Sequence, residues 1–284
     1  MSIHLAALAM LFIACSHQPV SILYVGGIPD QDESIVVRRF SGLSDYLSQT
    51  LGMEVRYVPS IDYAAVVTGF VNGHIHLAWY GGLTGVQARA AVPGARAIAQ
   101  RPRDTKFRSV FVVNTKIPAE TLSDLKNTRF TFGSESSTSG HLMPRYFLLQ
   151  EGINADKDFR GLPNFSGSHD KTWKLVEVGA FESGALNKSV WDTAVLQGQI
   201  NLEKVRLLEV TEPYYDYNWS VRPDLDQHFG DGFTHNLSVA LLEMHMSETN
   251  KDILELFYTD KFIASDNDNY KVIEDVARRL KILE

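Results

Sequence analysis

The chain has one cysteine, Cys15, among 284 residues, so no intramolecular disulfide can form. It has no block of Lys or Arg, and its net charge is −7. Nucleic acid is therefore not an expected partner. Beyond the N-terminal segment, no apolar run approaches the roughly 18–20 residues that a membrane span needs. There is no P-loop, no G-x-S-x-G elbow and no H-E-x-x-H pair. His74 and His76 flank Ile75 without a third ligand at a known position. A strand entry explains them, and no metal or cofactor is expected. No internal repeat or low-complexity segment is present.

What remains is an ordinary globular composition, 44% hydrophobic and 21% charged, in a chain long enough for two lobes. The single cysteine ends an apolar run over residues 5–14, too short to span a bilayer but right for an export signal. Ala14-Cys15 followed by Ser16-His17-Gln18-Pro19 resembles a bacterial lipoprotein signal. Lipidation at Cys15 would tether the chain through residues 15–20, with 1–14 removed. The segment departs from that pattern in lacking Lys or Arg before the core and in having Phe12 where Leu is usual. A plain cleaved signal is the alternative. Both readings place the mature chain outside the cytoplasm, in the periplasm or on the outer face of the membrane.

Strand-like and helical patterns then alternate. Apolar spacing predicts helices over 34–51, 62–72, 86–91, 142–151, 171–178 and 190–197, and three more toward the C-terminus. Strands are predicted at 21–25, 54–58, 76–80, 95–100, 109–114, 129–132, 184–186 and 205–210. Such alternation implies an α/β chain with largely parallel sheets. Asn114-Thr115-Lys116 and the segment 211–216 read as two crossings between lobes. The expected division is 21–114 with 216–284 in one lobe and 115–215 in the other.

Small-residue turns follow strands at Gly26, Gly81, Gly133 and Ser166. In open α/β sheets, ligands sit beyond the carboxyl ends of the strands. Helices starting there aim unpaired N–H groups and partial positive charge at the same crevice. The third turn is the richest: Ser134, Ser136, Ser137, Thr138 and Ser139 lead through Gly140 to a helix with Pro144 in its first turn. A well-capped helix accounts for it, and so does a hydroxyl clamp for a small anion.

The blocks 61–67, 76–81, 136–140 and 166–170 stand in an order that resembles the phosphonate/phosphite-type solute-binding proteins of ABC importers. The runs at 26–32 and 99–104 resemble most a branch proposed to bind selenate. The resemblance covers nearly all of the mature chain. It implies two α/β lobes of the type II periplasmic-binding-protein fold, each with a mainly parallel sheet, joined by two crossing strands that hinge closed on ligand. It also implies a monomeric, non-enzymatic binding component that delivers a tetrahedral oxyanion to a permease and ATPase. Ser137, Thr138 and Ser139 match the family's anion clamp, Tyr63 and Tyr80 its closing aromatic positions, and His169 its Ser-His turn. Asn187 stands where relatives often carry an acid for a ligand amino group. That departure disfavours an aminoalkyl phosphonate and tilts the ligand toward a bare anion such as selenate.

Other readings stay open. Ser168-His169-Asp170-Lys171 fits S-x-x-K and Ser265-Asp266-Asn267 fits S-D-N of penicillin-recognising hydrolases, but no K-T-G follows. A sensor presenting its ligand to a membrane receptor would have the same fold. Arg101-Pro102-Arg103 reads as a solvated loop or a steering rim. The residues Tyr214 to Tyr217 line the cleft or pack at the hinge. Glu135 and Asp170 are the acids nearest the clamp. A buried acceptor facing the ligand would favour a protonated phosphite or phosphonate, and a site of donors alone would favour sulfate or selenate.

Overall fold

A computed structural model describes residues 21–283; Cys15, the signal and the tether lie outside them. The first stretch runs β1 (Leu23–Gly27), α1 (Glu33–Leu51), β2 (Val55–Tyr57), α2 (Tyr63–Val71), β3 (Leu77–Tyr80), α3 (Gly82–Ala91) and β4 (Arg96–Gln100). The second runs β5 (Ser109–Asn114), β6 (Phe130–Phe132), α4 (Met143–Gln150), β7 (Asn164–Phe165), α5 (His169–Glu177), β8 (Ser183–Asn187), α6 (Lys188–Leu196) and β9 (Val205–Val210). The chain then returns with β10 (Asn218–Val221), α7 (Leu225–Phe229), α8 (Phe233–Glu243), α9 (Lys251–Leu256), β11 (Ile263–Ala264) and α10 (Lys271–Arg279). Among the described residues, no helix is long and apolar enough to cross a membrane.

Two sheets result, with strand orders β11-β4-β10-β3-β1-β2 and β7-β6-β8-β5-β9. The α/β class and the two flanked sheets agree with the sequence reading, but the sheets are mixed rather than mainly parallel. β1 pairs parallel with β2 and β3, whereas β10 enters antiparallel between β3 and β4. In the second sheet β6 is parallel to β7 and β8, whereas β5 is antiparallel to β8 and β9. The cause is the crossing itself. A strand arriving directly from the other lobe enters its sheet without a helical crossover, and only crossovers keep neighbours parallel.

The first crossing also moves. The strand 109–114, assigned from sequence to the first lobe, is an inner strand of the second sheet, between β8 and β9. Phe107 and Tyr214 form the bridge between the two passes, with Phe107 N–H donating to the Tyr214 carbonyl at 2.7 Å and the reverse bond at 2.9 Å. Thr115 and Lys116, just after β5, form a turn within the second lobe.

Both faces of β5 are buried, as period-two alternation requires. Phe111 and Val113 pack with Phe130, Phe132, Leu148 and Ile153, while Val110 and Val112 pack with Trp173, Val176, Leu186 and Trp191. The first sheet builds its core from Val25, Phe40, Leu43, Phe70, Leu77, Trp79, Trp219 and Leu237. Helix starts are fixed by side chains. Asp32 caps α1 through Ser34 N–H, and Asp62 caps α2 through Ala65 N–H at 2.8 Å, which sets Tyr63 as the first helical residue.

Candidate functional site

The two lobes meet through Leu83–Thr138 and Asp30–His169, beside the return segment Tyr214 to Tyr217, which bonds to Ser109 and Asp30. The hydroxyl-rich turn leaves β6 and closes on itself. Gly133 N–H donates to the Gly140 carbonyl at 2.8 Å, and Ser137 Oγ accepts from Gly140 N–H at 2.9 Å. A side chain at 140 would put its Cβ 2.9 Å from Ser137 Oγ and 3.1 Å from Gly133 Cα, so only glycine fits. One turn of π-helix, Thr138–Leu142, then widens the entry into α4. Ser137, Thr138 and Ser139 are all at most 2% exposed.

Each of the three is held by something different. Ser137 caps its own turn. Thr138 Oγ1 accepts from Leu83 N–H, in the first turn of α3 across the cleft, at 2.9 Å. The Ser139 carbonyl accepts from Ser109 Oγ at 2.7 Å, and Ser109 Oγ in turn receives the Tyr214 hydroxyl. The crossing strands thus hold the clamp from beneath. Ser137 is thus a cap, and Thr138 is an inter-lobe contact.

Asp216 is the group that sequence reasoning left undecided. It is 1% exposed. Its Oδ1 accepts from Gly82 N–H at 2.8 Å, at the start of α3, while its Oδ2 has no partner. Burial pushes its pKa up to about 7 and the Asp104 charge adds to the rise, against hydrogen bonds from Gly82 N–H and the Thr138 hydroxyl. A Cβ at Gly81 would lie 3.0 Å from Thr138 Oγ1 and 3.2 Å from Asp216 Oδ1, so the glycine lets both groups close over α3. The Tyr63 hydroxyl is likewise buried and unpartnered. Burial drives that phenol well above its usual range, the charges of Asp30 and Asp216 add to the rise, and the nearby Ser137 hydroxyl opposes it. An orphan acceptor and an orphan donor beside buried hydroxyls form a polar site whose groups are not satisfied by the protein alone.

A second network links the lobes behind it. Arg39 donates to Asp30 Oδ1 at 3.0 Å, and the Tyr217 hydroxyl donates to Asp30 Oδ2 at 3.0 Å. The Asp30 carbonyl accepts from His169 N–H at 3.1 Å. His169 Nδ1 accepts from Asn187 N–H at 3.3 Å, so the ring proton is on Nε2, 3.5 Å from the Tyr217 oxygen. Burial lowers the His169 pKa to about 4. The ring is therefore a neutral donor at physiological pH.

The other sequence-derived residues divide. Asn187 is present but occupied: its Oδ1 caps α6 through Ser189 and Val190 N–H, and its Nδ2 donates to the Tyr217 hydroxyl at 3.2 Å. Tyr80 does not join the cluster. Its hydroxyl donates to the Val66 carbonyl at 3.2 Å and its ring packs edge-on against Phe70, within the first lobe. Period two sends Tyr80 and its neighbour Trp79 to opposite faces, and Trp79 stacks on Tyr217 at 5.4 Å.

Arg101 is not a solvated rim residue. It is 3% exposed, forks onto Asp104, donates to the Phe257 carbonyl, and lies 4.6 Å from the Tyr217 ring centroid. Arg145 is turned to His141 and Asp156. Of the acids near the clamp in sequence, Asp170 is taken by Ser168 and Lys174, and Glu135 supplies only its carbonyl, to His141. The hydrolase alternative fails on the same geometry. Ser168 Oγ donates to Asp170 Oδ1, Lys171 is exposed, and Ser265 belongs to the distant Gln100–Tyr270 cluster. Among the described residues, no group of three His, Cys, Asp or Glu could hold a metal ion.

With this geometry in hand, comparison with known proteins is informative. Residues 25–270 match the family model described as ABC transporter, phosphonate, periplasmic substrate-binding protein. A protein of Prochlorococcus marinus, named a probable ABC transporter phosphite binding protein, is 45% identical over 267 residues, covering 91% of this chain and 90% of its own. A structure of PhnD1 from that organism in complex with methylphosphonate superposes with a TM-score of 0.90 at 43% identity, covering 93% of this chain and 100% of that one. A binding-protein component of an ABC phosphonate transporter from Pseudomonas aeruginosa shares the fold at a TM-score of 0.79 and 19% identity, covering 91% and 86%.

Proposed function

Because the chain belongs to the phosphonate periplasmic substrate-binding proteins of ABC transporters, we propose that it captures a tetrahedral oxyanion carrying one proton, phosphite or a short alkylphosphonate. Membership makes it an extracytoplasmic binding component of an importer, not an enzyme. The specific ligand rests on one observation: the unpartnered Oδ2 of buried Asp216. That oxygen accepts a hydrogen bond from a ligand O–H. Tyr63, Ser137, Thr138, Ser139 and the neutral His169 supply donors around the remaining oxygens. A relative named for phosphite and one solved with methylphosphonate support the same chemical class. Asn187 carries no weight for selenate, because its side chain is committed to the α6 cap and to Tyr217.

The site requires one proton between Asp216 and the ligand. A phosphoryl group with a second ionisation near neutrality brings that proton itself. Sulfate and selenate do not, so they bind only when Asp216 is protonated. Their affinity falls about tenfold per pH unit above the Asp216 pKa of about 7. Calorimetry over a panel of phosphite, methylphosphonate, phosphate, aminoethylphosphonate, sulfate and selenate tests this at pH 6 and pH 8. Phosphite or methylphosphonate should dominate at pH 8, with the gap to sulfate narrowing at pH 6. Thr138→Ala and Ser139→Ala should each weaken binding by about 0.5–1.5 kcal/mol, or somewhat more toward a charged ligand. Selenate binding unchanged between the two pH values would overturn the reading.

Ligand held between lobes that touch through Leu83–Thr138 and His169–Asp30 favours the closed arrangement. The protein acts as a monomer in this reading. We also place a lipid anchor at Cys15, whose acyl chains at about 0.8 kcal/mol per buried CH₂ would hold it at the membrane. Cys15→Ser should shift the protein from the detergent to the aqueous phase. Equal partitioning of both forms would leave a plain cleaved signal.

A further inference from the structure

A cationic groove lies on the hinge side. A groove of about 340 Å³ is lined by Arg103, Lys106, Arg108 and Lys188, with Asp192 as its one carboxylate. Asp192 is already engaged by Lys188. Arg108 gives one N–H to the Thr211 carbonyl and keeps the rest of its fork. Arg103 and Lys106 are exposed, and Arg103 also feels the charges of Asp104, Asp192 and Asp260. In a chain of net charge −7, a groove lined by four cations and one carboxylate is a local positive field that favours anions.

The cations come from different parts of the fold. Arg103 and Lys106 lie on the turn after β4, in the first lobe. Arg108 lies at the crossing, and Lys188 opens α6 of the second lobe. Lys188 N–H donates to the Arg108 carbonyl at 3.2 Å, which fixes the second-lobe wall to the crossing. Four cations meeting at one groove suit an anion of several charges, such as one with two linked phosphoryl groups, which would engage both lobes at once.

We propose that this groove is a second anion site, distinct from the cleft, that takes a ligand bearing linked or clustered phosphoryl groups and is completed when the lobes close. The site rests on the closing-lobe reading above but not on which oxyanion the cleft takes. Its chemistry fits a soluble polyphosphate or the headgroups of an anionic lipid surface.

The probe is inorganic pyrophosphate, titrated by calorimetry into protein kept saturated with methylphosphonate, or with whichever panel anion the cleft binds. Wild type should bind it, and Arg103→Ala with Lys106→Ala should weaken binding by about tenfold or more, as expected for lost hydrogen bonds from charged donors. The same double variant should bind the cleft anion as wild type does, and Ser139→Ala should leave pyrophosphate binding intact. Sedimentation with phosphatidylglycerol vesicles, reduced in the double variant, assigns the lipid source; pyrophosphate binding without sedimentation assigns a soluble one. The proposal is overturned if the cleft anion displaces pyrophosphate, if the double variant binds it unchanged, or if neither probe binds. If no panel anion binds the cleft, the titration is run on ligand-free protein, so the failure of the cleft assignment is read separately.

Discussion

Asp216→Asn is expected to stabilise the ligand-free protein at pH 8 while removing most of its affinity for phosphite or methylphosphonate. An isolated aspartate ionises near 3.8, but burial raises Asp216 to about 7. Between those values the folded chain holds a proton that the unfolded chain has released. Stability therefore falls as pH rises from about 4 to about 7 and is level above. A shift of about three units corresponds to at most roughly 4 kcal/mol, reduced by screening and relaxation around the site. Asparagine keeps an acceptor for Gly82 N–H and abolishes the titration. Its NH₂ replaces the orphan oxygen as an orphan donor, which costs about 1–3 kcal/mol of that gain. Melting curves of both forms should coincide near pH 4 and separate by pH 8. Binding moves the other way. Loss of a hydrogen bond to a charged partner is worth about 1.5–3 kcal/mol, or roughly 10- to 150-fold. A variant that melts like wild type at pH 8 and binds equally well would remove Asp216 from the site.

The second large effect belongs to Arg101→Ala. Burial works against the Arg101 charge, and Asp104 more than restores it through a two-pronged contact reaching 2.6 Å. The guanidinium also meets the Phe257 carbonyl and lies over the Trp79 and Tyr217 rings, at 5.2 and 4.6 Å. Truncation leaves Asp104 buried and unpaired, at a cost of about 3–5 kcal/mol. The damage also reaches the ligand site, because the Asp104 carbonyl accepts from Asp216 N–H at 3.1 Å. Chemical denaturation should show a large drop in midpoint, and Arg101→Ala combined with Asp104→Ala should recover part of it. A loss of under about 1 kcal/mol in the single variant would show that the pair is compensated by water and adds little net stability.

Local patterns carried much of this architecture, and long-range contacts carried the rest. The 34–51 helix, with its apolar stripe and closing Gly52, lies within one residue of α1. The hydroxyl turn was visible because capping chemistry is local. Asp216 was not assigned, because its environment is made by Gly82 and Thr138, far away in sequence. Asp30 and Arg39 carry no motif, and they matter only because Tyr217 returns to meet them. The strand 109–114 was placed in the wrong lobe for a related reason. The true crossing at Phe107 and Arg108 is continuous extended chain without a turn residue, whereas Asn114-Thr115-Lys116 carries turn punctuation inside one lobe. Tyr80 was misread because strand alternation gives two faces but not which one borders the cleft.

The return segment has a consequence for how such a protein can change over generations. Within four residues, Tyr214 bonds Ser109 beneath the hydroxyl turn, Asp216 holds Gly82 and keeps one oxygen unpartnered, and Tyr217 ties Asp30 to the second lobe. In the function proposed above, recognition and mechanical coupling share this one segment and are not inherited separately. A substitution here that retunes which anion is preferred also alters how readily the empty protein shuts. Lineages exploring new ligands must cross that trade-off, or leave this strand alone and vary the walls contributed by α2 and α5.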